Sequence, residues 1–400
     1  MYFFTNLLII IIIINSLHIR WRISRSIEKI EILKTLCYDQ FKCIDNKCNY
    51  SCCKNWSIYI DTLHYNHYLN CGIKNLVTKT RKHNEELWQM VLTEDGSCPF
   101  LSQTGLCDLI IQYGDDILCQ TCQTFPRNKK RFNYTYEYSL SNACPAVISL
   151  LQQTTPPLSF ELVGTEDDYD DNNNAKEYLI QCRNMIIDLL QITDIPLWVR
   201  LYFCYSAAYK IRYEHDIDKT LSQYNSSDYL LTVYNELINT DLNINSKLHI
   251  IYEMLSTVYN RNSLDIHEQK YYELFKYIGT IDTDELQSEW IEFQNIYEQH
   301  ETLFENVVVN HAFGNIKCVN KKQFHYSVFR MIEEMSLIKF TMFMYWLQIG
   351  KKNISEEIPY IICYFARKFE HEEVQNMLSY VKSFESLHWL EHGYIFMLIR

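Results

Sequence analysis

The sequence predicts a mainly α-helical protein in which a cysteine-rich N-terminal module packs with a helical C-terminal region. Three observations carry this. Only 9 glycines and 7 prolines occur in 400 residues, too few for a turn-rich all-β chain. The chain has 15 cysteines, and most of them crowd into the stretch from Cys37 to Cys144. From Lys176 onward, apolar residues recur at helical spacing almost throughout. The length is sufficient for two domains with a sizeable core.

Residues 1–34 read as an apolar extension or anchor. The run at 2–17 is interrupted by Thr5, Asn6, Asn15 and Ser16, and is a little short of the roughly 20 residues that span a bilayer. It lacks the preceding basic residues and the small-residue cleavage site of a signal peptide. Arg20, Arg22 and Arg25 follow it. If the run makes membrane contact, these charges leave the rest of the chain in the cytoplasm. If it is an extension outside the fold, the protein is cytoplasmic too. Ser24–Leu36 carries a weak helical periodicity.

Residues 35–151 form the expected cysteine-rich, metal-binding module. Its thiols come in four blocks: Cys43, Cys48 and the adjacent pair Cys52-Cys53; Cys98 and Cys107; Cys119 and Cys122; and Cys144. Thiolates are soft ligands that suit zinc and iron–sulfur clusters, and loop spacings of a few residues let two sulfurs turn onto one centre. Adjacent side chains point apart, so one member of Cys52-Cys53 is expected to serve a second site or the core. The alternatives are a structural zinc site without chemistry and a disulfide framework, which requires an oxidising compartment. Cys182, Cys204, Cys318 and Cys363 stand singly and read as buried small hydrophobes.

Residues 152–175 read as an acidic linker or loop, with a Thr154–Pro157 breaker and the polar run Glu166–Asn174. Residues 176–400 form the helical region. Helices are expected over Lys176–Gln191, Leu197–Tyr213, Ser227–Ile238, Lys247–Tyr259, Ile266–Ile278, Asp284–Glu298, Leu303–Ile316, Lys322–Trp346, Glu356–Phe369 and Glu372–Phe384.

The formal net charge of -12 opposes binding to a phosphate backbone, so no nucleic-acid partner is expected. The short basic cluster Arg127, Lys129, Lys130 and Arg131 reads as a solvated loop, with a substrate contact as the alternative.

The cysteine blocks and their surroundings together resemble the flagellin lysine-N-methylase family of bacteria. The matching pattern includes Tyr38, Phe41-Lys42-Cys43, Cys48, Cys52-Cys53-Lys54, Trp56 and Ile58–Asp61. It continues through Cys98–Leu101, Gly105–Cys107, Cys122, Phe125–Arg127, Ser139–Ser141 and Cys144-Pro145. Looser matches follow at Pro196–Trp198, Arg200-Leu201, Glu305-Asn306 and Phe313. The pattern also relates to a broader group of zinc- or iron-chelating proteins.

The resemblance implies methyl transfer from S-adenosylmethionine to lysine side chains of a protein substrate, flagellin in that family, with a 4Fe–4S cluster as cofactor. Carried over residue by residue, it implies Cys43, Cys48, Cys52, Cys53, Cys98, Cys107, Cys122 and Cys144 as candidate metal ligands. Cys37, Cys71 and Cys119 are additions of this sequence. The competing reading is a non-catalytic zinc- or iron-chelating protein.

No glycine stands in a G-x-G turn, which argues against a Rossmann-type cofactor site, and the thiol spacing is not the C-x-x-x-C-x-x-C of radical S-adenosylmethionine enzymes. Lysine methylation also needs a neutral amine. Asp61, Tyr59 and Tyr38 are candidates to assist its deprotonation, and Trp56 and Arg127 are candidates to touch a ligand. For each, a structural role is the competing reading.

Overall fold

The computed structural model describes residues 30–54, 56–166, 175–214, 216–240, 250–251, 269–271, 273–274, 276, 283–370, 381–382 and 392–400. The apolar run at 2–17, most of the acidic run Glu166–Asn174, and most of the helices expected over Lys247–Tyr259, Ile266–Ile278 and Glu372–Phe384 lie outside these residues. Among the described residues no helix is long and apolar enough to cross a membrane.

The architecture is mainly helical, but the N-terminal part carries more sheet than its sequence suggests. Residues Ile30–Thr35 form strand β1, where a weak helical periodicity stands in the sequence. Residues Phe160–Glu166, in the expected loop, form strand β7. Both join β5 (Arg127–Phe132) and β6 (Thr135–Leu140) in a four-stranded sheet of order β5-β6-β1-β7. β1 runs parallel to β6, with Ile32 opposite Tyr136, and antiparallel to β7, with Thr35 opposite Phe160. The partners are remote in sequence, so tertiary pairing overrides the local pattern. Asn133, at φ 46°, closes the β5–β6 hairpin; asparagine tolerates the left-handed region better than most residues.

A small second lobe interrupts the chain between β1 and β5. Its sheet has the order β2 (Tyr59–Asp61), β4 (Leu87–Met90), β3 (Thr80–Lys82). Around it lie the short helices α1 (Thr62–Asn70), α2 (Leu76–Lys79), α3 (Asp108–Tyr113) and α4 (Gln120–Thr124). Ile58, Ile60, Tyr68, Phe100, Leu109 and Ile117 make a core of their own there.

The main core joins the four-stranded sheet to the helical region. Its helices are α5 (Pro145–Gln153), α6 (Glu177–Leu190), α7 (Leu197–Tyr213), α8 (Ile217–Tyr224), α9 (Ser227–Ile238), α10 (Thr283–Glu298), α11 (Glu301–Asn315), α12 (Lys321–Gln348), α13 (Ile358–Phe369) and α14 (His392–Ile399). The bounds of α7 and α9 coincide with those expected from periodicity. Helices α8 and α14 escape it because each has only eight residues. Pro196 stands at the N-cap of α7, one position before the first turn, and Glu301 accepts the freed Leu197 N–H at 2.9 Å.

Buried polar contacts fix the register of sheet against helices. Arg183 on α6, fully buried, holds Glu137 on β6 through both guanidinium nitrogens. Asn310 on α11 donates to the Leu140 carbonyl and to the Asn142 side chain, each at 2.7 Å. Asn306 donates to the Leu151 carbonyl at 3.0 Å and the Thr154 carbonyl at 2.7 Å. A buried amide is costly without partners, so these contacts lock the segment that carries Cys144 against α11.

Candidate metal centre

None of the 15 cysteines forms a disulfide. The eight candidate ligands divide between the two lobes. Cys144 is pushed up to about 11, mainly by burial, and repulsion from the Cys48 and Cys43 sulfurs adds to this. Cys52 also feels the charge of Cys144. These four thiols, Cys43, Cys48, Cys52 and Cys144, form one set, of which Cys144 belongs to the main core and Cys48 also feels Cys53. Cys98 is pushed up to about 12, again chiefly by burial, but its thiol neighbours are Cys53, Cys107 and Cys119. Cys122 is raised by its bond to Cys119 and by burial, with repulsion from Cys119, Cys53 and Cys98. Cys53, Cys98, Cys107, Cys119 and Cys122 therefore form a second set, which belongs to the small lobe.

The adjacent pair is the junction between the sets. The Cys52 thiol donates to the Cys53 sulfur, drawing Cys53 down to about 7 and raising Cys52. Cys119 is drawn down to about 7 in the same way by Cys122, so a cysteine outside the resemblance joins the small-lobe set. Cys37 and Cys71 join neither set. Cys37 is buried with its thiol 3.7 Å from the Thr35 hydroxyl, and Cys71 ends α1 with its sulfur 3.8 Å from the His67 ring.

Backbone geometry explains how the sulfurs are held. Cys107, Cys119 and Cys144 are the N-caps of α3, α4 and α5, where unpaired N–H groups favour negative charge. The Leu109 and Ile110 amides act on Cys107, and the Ala146 and Val147 amides on Cys144. The Asp45 amide donates to Cys43 at 3.4 Å. The Cys98 amide donates to the Cys53 carbonyl at 2.7 Å, which ties the second block to the first. The Cys119 amide donates to the Tyr68 hydroxyl oxygen at 3.0 Å.

The helical region supplies one further group. Arg367 on α13 donates to the carbonyls of Tyr50, Ser51 and Lys54 at 2.8, 3.1 and 3.1 Å. Its charge favours the ionised forms of Cys48, Cys52 and Cys53. Sulfurs that receive amide N–H groups and face a guanidinium suit a thiophilic metal or cluster. Sequence reading missed Arg367, because a lone arginine in an amphipathic helix carries no local signal.

The other candidates have structural partners. Asp61 caps α1, accepting from the His64 amide at 3.0 Å, and its other oxygen lies 2.6 Å from the His64 ring. Burial pushes it up, but these bonds hold it below the ordinary carboxylate range. The Tyr59 carbonyl accepts from Thr121 at 3.0 Å. Tyr38 packs edge-on against Tyr138 at 5.5 Å, and burial raises its pKa. Trp56 donates to the Cys52 carbonyl and packs on Phe125. The basic cluster lies on strand β5, where a solvated loop is expected. There Arg127 donates to the Phe41 carbonyl at 3.3 Å, Lys129 pairs with Glu166, and Lys130 donates to the Gly314 carbonyl.

A cavity of about 190 Å³ lies elsewhere, lined by Trp198, Tyr297, Glu298, Glu301 and Lys339 among others. It includes no cysteine.

A family model described as the FliB lysine N-methylase C-terminal domain matches residues 183–398. A lysine-N-methylase of Salmonella typhimurium is 28% identical over 130 residues, covering 30% of this chain and 32% of that protein. The flagellar biosynthetic protein FliU of Salmonella muenchen is 28% identical over 130 residues, covering 30% of this chain and 77% of that protein. The match thus spans about a third of the length of the Salmonella typhimurium relative. No solved structure matches the chain.

Proposed function

The chain belongs to the FliB lysine N-methylase family, and on that premise we propose that it transfers methyl groups to lysine side chains of a protein substrate. S-adenosylmethionine is the proposed methyl donor and flagellin the proposed substrate type. The thiols of the N-terminal part are the proposed ligands of an iron–sulfur centre. The observation that carries the metal assignment is the gathering of Cys43, Cys48, Cys52 and Cys144 where amide N–H groups and the Arg367 charge converge.

Thiolate donors suit both zinc and iron–sulfur clusters; the cluster is preferred here on the resemblance of the cysteine blocks to the family. When bound, such a cluster would supply a Lewis-acidic iron for activating the methyl donor or acceptor. The chain's own part is to offset the charge the thiolates take on when they bind: Arg367 and the first-turn amides of α5 oppose the burial that raises Cys48, Cys52 and Cys144.

The test is methyl transfer by anaerobically purified protein, with labelled S-adenosylmethionine and flagellin, alongside iron and acid-labile sulfide content. Label on flagellin lysines, with about four iron and four sulfide per occupied centre, supports the reading. Zinc without sulfide, and no transfer, would leave the chelating role in its place.

A further inference from the structure

His311, Glu334 and Glu370 lie on three different helical elements: within α11, within α12 and at the C-terminal cap of α13. One ligand atom from each lies within 4.8 Å of the other two. His311 Nδ1 is 2.9 Å from Glu334 Oε2 and 3.8 Å from Glu370 Oε1. All three side chains are almost completely buried, with exposures of 6%, 2% and 2%.

The His311–Glu334 ion pair accounts for only part of this arrangement: a second buried carboxylate, Glu370, stands beside it, and Glu334 Oε1 is buried without a hydrogen-bond partner. Unpaired buried acceptors are costly. Lys130, the nearby buried amine, donates to the Gly314 carbonyl instead of to either carboxylate. Glu370 is firmly oriented: Oε2 accepts the Ser141 hydroxyl at 2.6 Å, and Oε1 accepts the Asn142 amide at 3.3 Å. Such bonds aim a ligating carboxylate from behind.

The separations of 2.9 and 3.8 Å straddle those of a coordinated ion. An ion about 2.1 Å from each donor spaces its donors by about 3.0 to 3.6 Å at angles of 90–120°. One imidazole nitrogen and two carboxylate oxygens form a mixed donor set suited to first-row divalent ions, and poor for the soft ions that thiolates select.

We propose that His311 Nδ1, Glu334 and Glu370 bind one divalent first-row transition ion at a site distinct from the thiols. The ion ties α11, α12 and α13 together and, through Glu370, fixes the Ser141-Asn142 turn just ahead of Cys144. The site stands independently of the methyl-transfer reading.

Mn²⁺ is the probe, because it prefers nitrogen and oxygen donors to thiolate. The full-length protein, freed of loosely bound metal, is titrated with Mn²⁺ and the free ion is counted by electron paramagnetic resonance. One bound ion per chain is expected, with a single imidazole nitrogen coupled to it in pulsed spectra. Glu334→Gln and Glu370→Gln should each weaken binding at least 10-fold while circular dichroism stays unchanged. No bound Mn²⁺ in the wild-type protein, no imidazole coupling, or equal binding by both folded variants overturns the proposal. Should either variant misfold, the wild-type stoichiometry and nitrogen coupling decide it.

Discussion

The Arg367 guanidinium lies 3.8 Å from the centre of the Tyr50 ring while donating to the Tyr50 carbonyl at 2.8 Å. One side chain of α13 thus grips the segment that leads into Cys52 and Cys53, by stacking and by charge-assisted hydrogen bonds. Thiols and helical region are parts of one arrangement.

Arg367→Ala should therefore lower stability by about 2–4 kcal/mol and reduce bound metal. Arg367→Lys should not restore the protein, since an ammonium cannot serve three carbonyls from a flat face on an aromatic ring. Denaturant unfolding and metal analysis of the two variants check this. Wild-type metal content in Arg367→Ala would contradict it.

The division of thiols predicts how double substitutions combine. Cys52→Ser with Cys144→Ser should lose no more metal than either single change, because both fall in one set. Cys52→Ser with Cys98→Ser should lose the metal of both sets. Metal content across this cycle checks the grouping; additive loss for Cys52 with Cys144 would refute it.

Breaking the Arg183–Glu137 pair leaves a charge stranded in the core. Glu137→Gln should cost about 3–5 kcal/mol, and Glu137→Gln with Arg183→Met should recover much of it. Thermal unfolding of the single and double variants measures the difference.

Burial pushes Asp188 up to about 7, with one carboxyl oxygen left without a hydrogen bond. A carboxyl whose folded pKa is raised contributes stability that is fully present below its unfolded value of about 3.9 and is lost as the pH rises through about 7. Asp188→Asn should therefore stabilise the protein at pH 8, by as much as a few kcal/mol, and have little effect near pH 4. Equal shifts at both pH values would show that the carboxyl ionises normally.

The sequence disclosed what is local and withheld what depends on remote contacts. Cysteine blocks are visible because their spacing is short. Helices α7 and α9 are visible because apolar stripes repeat within them. That one of Cys52 and Cys53 serves a second site is an expectation from adjacent side chains pointing apart, whereas here the two sulfurs share a hydrogen bond; their further thiol neighbours, Cys144 and Cys98, come from the two lobes. Strands β1 and β7 were hidden because they pair across more than a hundred residues of chain. His311, Glu334 and Glu370 were hidden for the same reason: each is an ordinary polar residue until three helices bring them together.

Strand β1 is held between β6 and β7, and this sets a schedule for biosynthesis. Cys43 through Cys122 leave the ribosome before either neighbour of β1 has been made, and Arg367 follows only near the end. Early on, those thiols are exposed on an open chain, where a captured metal would cross-link wrong partners. The set that includes Cys144 can close around Arg367 only after the helical region has been synthesised and docked. Loading of the metal proposed for that set is thus the last act of assembly, and on that proposal a cell that makes this protein must keep those thiols reduced and unclaimed until then.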